Sequence, residues 1–198
     1  MKSSRYAFVT ALALVMGTLA GCGDKADKGQ GATAPAPPKS VVIFQAGLVG
    51  NDFQPVNPPA NTVDIVTDPS GSVVANLIRS TVAQTSPEGD TNTAIVRMTP
   101  EDMPAISGKT ATVVVTARSA AENGSPSMRM AYSRAGVASS GWQEVALKPE
   151  FADYSFTYDV PAEPSTTAPR DFIAVWGDPE GKGRGVEVSR VRIAYYAQ

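Results

Sequence analysis

The 198-residue chain has no histidine and one cysteine, Cys22. Imidazole triads and imidazole metal sites are therefore excluded. Acid–base chemistry is left to carboxylates. Asp153 with Asp159, or Asp171 with Asp178, would be pairs of the glycosidase kind, since the two acids need only meet in space. By pattern each stands at a strand end or in a turn, where acids are ordinary, so no catalytic residue is expected. Asp68, Glu88 and Asp90 offer oxygen for calcium, but they are scattered in loops and read as solvated carboxylates. Gly181-Lys182-Gly183-Arg184-Gly185 lacks the spacing and the following helix of a dinucleotide fingerprint. It reads as a flexible hairpin loop, whose two basic residues could meet an acidic sugar or a lipid phosphate.

Recognition chemistry is better represented. A sugar offers apolar C–H faces rimmed by hydroxyls, so its sites combine an aromatic platform with a few fixed polar groups. Two tryptophans are available. Trp142 opens a strand after the turn Ser139-Ser140-Gly141 and can stand at an exposed rim. Trp176 closes a strand, shares a face with Phe172 and Ala174, and borders the glycine loop. Either can instead cap the core, the usual fate of large aromatics in a small sandwich. The polar candidates are Arg129, between the inward Met128 and Met130, Gln143 beside Trp142, and Arg118 at the end of a long strand. Each can also be an ordinary solvated strand residue.

The elements that must position these residues read as strands. Residues 109–118 hold the β-branched run Thr112-Val113-Val114-Val115-Thr116. Met128, Met130 and Tyr132 alternate with Arg129, Ala131 and Ser133, and Tyr154, Phe156 and Tyr158 alternate with polar partners. Further strands are expected at 41–44, 62–67, 72–78, 94–98, 142–147, 172–176 and 186–195, separated by turn residues such as Asp68-Pro69-Ser70-Gly71. Residues 99–107 suggest one helical turn, with Thr99 as its N-cap. About nine strands with short connections predict an all-β fold, an antiparallel β-sandwich.

The N-terminus is of another kind. Lys2 and Arg5 precede an apolar stretch over 6–20, the layout of an export signal. The stretch is shorter than the roughly 20 residues of a spanning helix. Leu19-Ala20-Gly21-Cys22 resembles the lipobox of bacterial lipoproteins. That resemblance implies a signal peptide over 1–21 and lipid, palmitate included, on Cys22, which would leave no thiol for disulfides or catalysis. Gly23 in place of the aspartate linked to inner-membrane retention implies the outer membrane. Residues 22–40, rich in Gly, Ala, Lys and Pro, read as a disordered tether, and 41–198 as the sandwich domain. Removing Lys2 and Arg5 from the 17 basic residues leaves 15 against 19 acidic, a net charge of −4. Nucleic acid is not an expected partner of so acidic a chain.

Within 106–193 a second resemblance appears. Ile106-Ser107-Gly108-Lys109 running into Val113 through Arg118, then Gly141-Trp142-Gln143, then Phe172-Ile173-Ala174-Val175-Trp176 and the strand from Val186 to Ile193, resemble galactose-binding-like jelly rolls. Many carbohydrate-binding modules have this fold. Family members often carry an aspartate in the closing strand, linked to a structural calcium; here Ser189 stands near that place, and no cofactor is expected. The reading is an envelope lipoprotein, held in the bilayer through Cys22, whose jelly roll is a non-catalytic binding module for carbohydrate. The alternative is a structural or assembly lipoprotein contacting another envelope protein.

Overall fold

The computed structural model describes residues 40–46, 52–83, 93–134, 138–162 and 171–196. Cys22, the signal, nearly all of the tether, Glu88 and Asp90 lie outside them. Among the described residues there are twelve strands in two antiparallel sheets of six. Sheet I runs β10 (Ala152–Asp159), β6 (Thr110–Ser119), β12 (Gly185–Tyr196), β4 (Val73–Ser80), β3 (Asn61–Thr67). β1 (Ser40–Ala46) joins it beside the second half of β12. Sheet II runs β2 (Phe53–Pro55), β5 (Ala94–Arg97), β11 (Phe172–Trp176), β7 (Ser127–Arg134), β8 (Ala138–Ser139). β9 (Gln143–Ala146) also pairs with β7.

The expected antiparallel sandwich is thus the observed one. β2 and β8 are three and two residues long, too short to show alternation in sequence. The expected helical turn is α1 (Met103–Ile106), but its cap position is Asp102, with no side-chain cap bond. Thr99 is not the N-cap; its hydroxyl donates to the Asp102 carboxylate at 2.7 Å.

The core lies between the sheets and follows strand alternation. Ala111, Val113, Val115 and Ala117 of β6 point inward and are fully buried, facing Met128, Met130 and Tyr132 of β7 and Ile173 and Val175 of β11. Each large apolar side chain so buried contributes roughly 1.5–3 kcal/mol. Tyr154, Phe156 and Tyr158 share this inner face, but β10 is an edge strand and leaves them half-buried against the core.

β12 changes parity midway. Val186 and Val188 are buried at even positions, Val191 and Ile193 at odd ones. The register against β6 shifts between Val188 and Arg190, so Ser189 is the inserted residue of a β-bulge. Were Ser189 an ordinary strand residue in place of a bulge, Arg190 and Arg192 would face the core. Ser189 Oγ donates to the Thr116 carbonyl at 3.3 Å, within the irregularity.

Candidate functional site

Sheet II presents an outward face built from β11, β7 and β9. Along β11, Ile173 and Val175 enter the core, which sends Phe172, Ala174 and Trp176 to the other side. Trp176 pairs in register with Arg129, and Ala174 with Ala131. Although they face away from the core, Trp176, Ala174, Ala131 and Ile95 are 0–5% exposed. The face is therefore covered, and one cover is visible.

β8 and β9 are two pieces of one edge, both pairing with β7, and the break between them places Trp142. At the break, Ser140 is held to Tyr132 of β7: its N–H donates to the Tyr132 carbonyl at 2.9 Å and its Oγ accepts the Tyr132 N–H at 2.9 Å. Gly141 then takes φ +67°, a conformation costly for other residues, and turns the chain. Trp142 follows, half-buried, and meets Trp176 edge-on: the ring centroids are 5.7 Å apart and the planes 82° from parallel. Such T-shaped pairs contribute about 0.5–1.5 kcal/mol beyond their buried area. The Trp176 indole N–H is shut from solvent and has no acceptor among the described residues.

Beside the pair, Arg129 donates from Nε to Glu144 Oε2 at 2.9 Å, with Nη2 at 2.8 Å from the same oxygen. Ser127 Oγ holds the other Glu144 oxygen at 3.2 Å. At the far end of the face the Arg97 guanidinium lies 5.9 Å from the centre of the Phe172 ring.

Of the five residues singled out in the sequence, Trp142, Trp176 and Arg129 come together here. Gln143 does not join them. It pairs in register with the inward Met130, is exposed at the edge, and donates to the Ser140 carbonyl at 3.4 Å. Arg118 is on the other sheet, with Nη2 2.6 Å from Glu187 and its guanidinium 4.5 Å above the Phe151 ring. Sequence reasoning missed Glu144 and Ser140. Glu144 was findable, because it stands on the alternate side of its strand from Val145 and directly opposite Arg129.

The acids proposed as pairs are occupied. Asp153 takes Arg192 at 2.8 Å and the Thr116 hydroxyl at 2.6 Å, and Asp159 takes the Thr110 hydroxyl at 2.6 Å. Asp171, 3% exposed, accepts a short hydrogen bond from the buried Tyr132 hydroxyl. Burial, then that carboxylate, hold the Tyr132 phenol well above its usual range.

Asp178 is completely buried and organises the glycine loop, which is not a flexible hairpin. Its Oδ2 accepts the N–H groups of Lys182 at 2.8 Å and Arg184 at 3.0 Å, and Oδ1 meets Arg184 Nη2 at 2.8 Å. Burial alone would raise its pKa; the Arg184 guanidinium and these N–H donors outweigh it and hold the carboxyl below the usual range. Glu180 pairs with Lys182 at 2.5 Å and with Arg184 at 3.2 Å, so both basic residues of the loop already face a carboxylate. Gly181 packs so closely that a Cβ there would lie 2.2 Å from the Ala83 nitrogen. Asp68 serves its own turn, accepting from the N–H of Ser70 at 2.8 Å and of Ser72 at 3.0 Å. Among the described residues, no three acids gather where they could hold a metal ion.

No protein-family model matches the chain, and no curated protein matches it. Solved structures do. The family 22 xylan-binding domain of a Paenibacillus barcinonensis xylanase is similar over 82% of this chain and 100% of its own length, with 7% identity and TM-score 0.52. The tandem of two such domains from the same enzyme matches over 83% of this chain and 48% of the tandem, at 8% identity and TM-score 0.52. A Clostridium thermocellum endo-1,4-β-D-xylanase 10B, with a family 22 module joined to its catalytic module and xylohexaose bound, matches over 79% of this chain, at 11% identity and TM-score 0.51. This chain spans 29% of that enzyme chain. At these identities the likeness is one of fold: the chain folds as the jelly roll that these carbohydrate-binding modules share.

Proposed function

We propose that this protein is a non-catalytic carbohydrate-binding module, displayed on the cell envelope by a lipid on Cys22, which takes a glycan on the exposed side of Trp142, beside β7 and β9 of sheet II. The observation that carries the reading is the tryptophan pair. Trp142 is a half-exposed aromatic held in orientation by a buried partner, with the Arg129–Glu144 ion pair alongside. An aromatic fixed in advance stacks on the C–H face of a sugar without an ordering cost at the moment of binding. Arg129 and Glu144 supply a planar donor and an acceptor for the ring hydroxyls. The fold supports the same reading, since the Paenibacillus domain that shares it is a xylan-binding domain.

The test is retention of soluble glycans, xylan among them, by the full chain in detergent micelles. Wild type should bind and Trp142→Ala should lose at least tenfold in affinity, with the circular dichroism spectrum unchanged. Equal binding by the two proteins would overturn the site.

A second reading, contact with another envelope protein, is favoured by the exposure of Val42 and Ile65 on sheet I, 51% and 49%. A stable protein partner with no glycan retained would favour it over the first.

A further inference from the structure

Sheet I has an outward face that the carbohydrate reading does not use, and the bulge at Ser189 is what furnishes it. Beyond the bulge, β12 turns Arg190 and Arg192 outward, beside Thr116 and Val114 of β6. They are two residues apart on one strand, so their Cα atoms stand about 7 Å apart. On its other flank β12 changes partner here: pairing with β4 ends at Val188 and pairing with β1 begins at Val191. Ser189 and Arg190 therefore have a strand on one side only among the described residues, and the sheet has a gap at Arg190.

The two guanidinium groups are differently met. Arg192 has Asp153, at 2.8 Å from Nη2. Arg190 is half-buried and has no ion pair or hydrogen bond among the described residues. Nε of Arg190 and Nε of Arg192 are both shut from solvent and have no acceptor among the described residues. Arg192 also closes one end of a groove of about 160 Å³. Its floor is Val42, Val114 and Ala194, and Ser40 and Thr112 add hydroxyls. Two guanidiniums against the one carboxylate of Asp153 leave the site a single positive charge in excess.

We infer that this face is a second binding site, for a sugar that carries a carboxylate. The apolar floor with hydroxyls suits a pyranose ring. The carboxylate of a uronic acid, turned towards the Arg190 guanidinium, matches the excess charge. The sugar part of this inference rests on the carbohydrate reading; the charge part rests on Arg190 and Arg192 alone. The two sites are on opposite sheets, so each is testable without the other.

The experiment is calorimetric titration of the full chain in detergent micelles with sodium galacturonate, and in parallel with galactose, sodium acetate and inorganic phosphate. Galacturonate should bind at least tenfold more tightly than galactose or acetate, and should weaken as salt is raised. Arg190→Gln should remove this preference at unchanged melting temperature, and Arg190→Lys should restore part of it. Trp142→Ala should leave it intact, which separates a failure here from a failure of the sheet II site. Equal binding of galacturonate and galactose, phosphate binding as tightly as galacturonate, or full affinity in Arg190→Gln would each overturn the inference. So would loss of galacturonate binding in Trp142→Ala.

Discussion

Asp178 shows how much one side chain can do for a loop. Its carboxylate gathers two backbone N–H groups and the Arg184 guanidinium, and so gives the segment between β11 and β12 one conformation. Its pKa in the fold is below the value near 3.9 of an unfolded chain. The stability it contributes is therefore complete above about pH 4 and lost as pH falls through the lower folded value. Asp178→Asn should be less stable than wild type in urea at pH 7, and the gap should narrow between pH 7 and pH 3. An equal gap at both pH values would refute this assignment. Tyr132 raises the complementary case, a phenol whose work is to satisfy a buried acid. Tyr132→Phe leaves an Asp171 oxygen unmet, so urea melts should show a loss of about 1–3 kcal/mol. At this scale the sequence was only partly legible. It marked Trp142, Trp176 and Arg129, because aromatic and planar residues announce themselves by type. It could not say that Asp178 is clamped or that Arg118 is committed to Glu187, since both facts depend on contacts between strands far apart in the chain.

Among the elements, β12 carries the most information per residue. The inserted Ser189 sets which of its neighbours meet the core and which meet water. Deleting Ser189 removes the extra residue and leaves Val186, Val188, Val191 and Ile193 in unbroken alternation on the core side, so the variant should still be expressed as soluble, folded protein. Ser189→Ala keeps the residue count and removes one bond to the Thr116 carbonyl, and should cost only about 1 kcal/mol in a thermal or urea melt. Loss of soluble protein in the deletion variant would refute Ser189 as the inserted residue. The shift from even to odd apolar positions was present in the sequence as Val186, Val188, Val191, Ile193, although the segment reads at first as one continuous strand. β6, β7 and β10 were plainer, because their alternation is unbroken for several residues. β2 and β8 were not readable, being too short to alternate, and neither was the covering of Trp176. Alternation assigns a residue to a face and says nothing of what lies over that face.

For the whole molecule, the proposed anchor and the fold can be tested apart. Cys22→Ser should move the protein from the membrane fraction to the soluble one and leave its glycan binding unchanged; continued membrane association would refute lipidation as the anchor. The sandwich was foreseeable from strand count, turn chemistry and the absence of helical periodicity, and the resemblance over 106–193 implied that it is a jelly roll. Which of its two outward faces takes a ligand was not, because the faces differ through the break at Ser140 and the bulge at Ser189, both of them features of pairing. The edge-on meeting of Trp142 and Trp176 has an optical consequence as well. They are the only two tryptophans of the chain, and at 5.7 Å they share their excited states. The ultraviolet emission of the entire protein thus arises from one spot on sheet II. A sugar arriving there would shift that emission without any label, whereas a sugar settling beside Arg190 on the opposite sheet would leave the spectrum as it was.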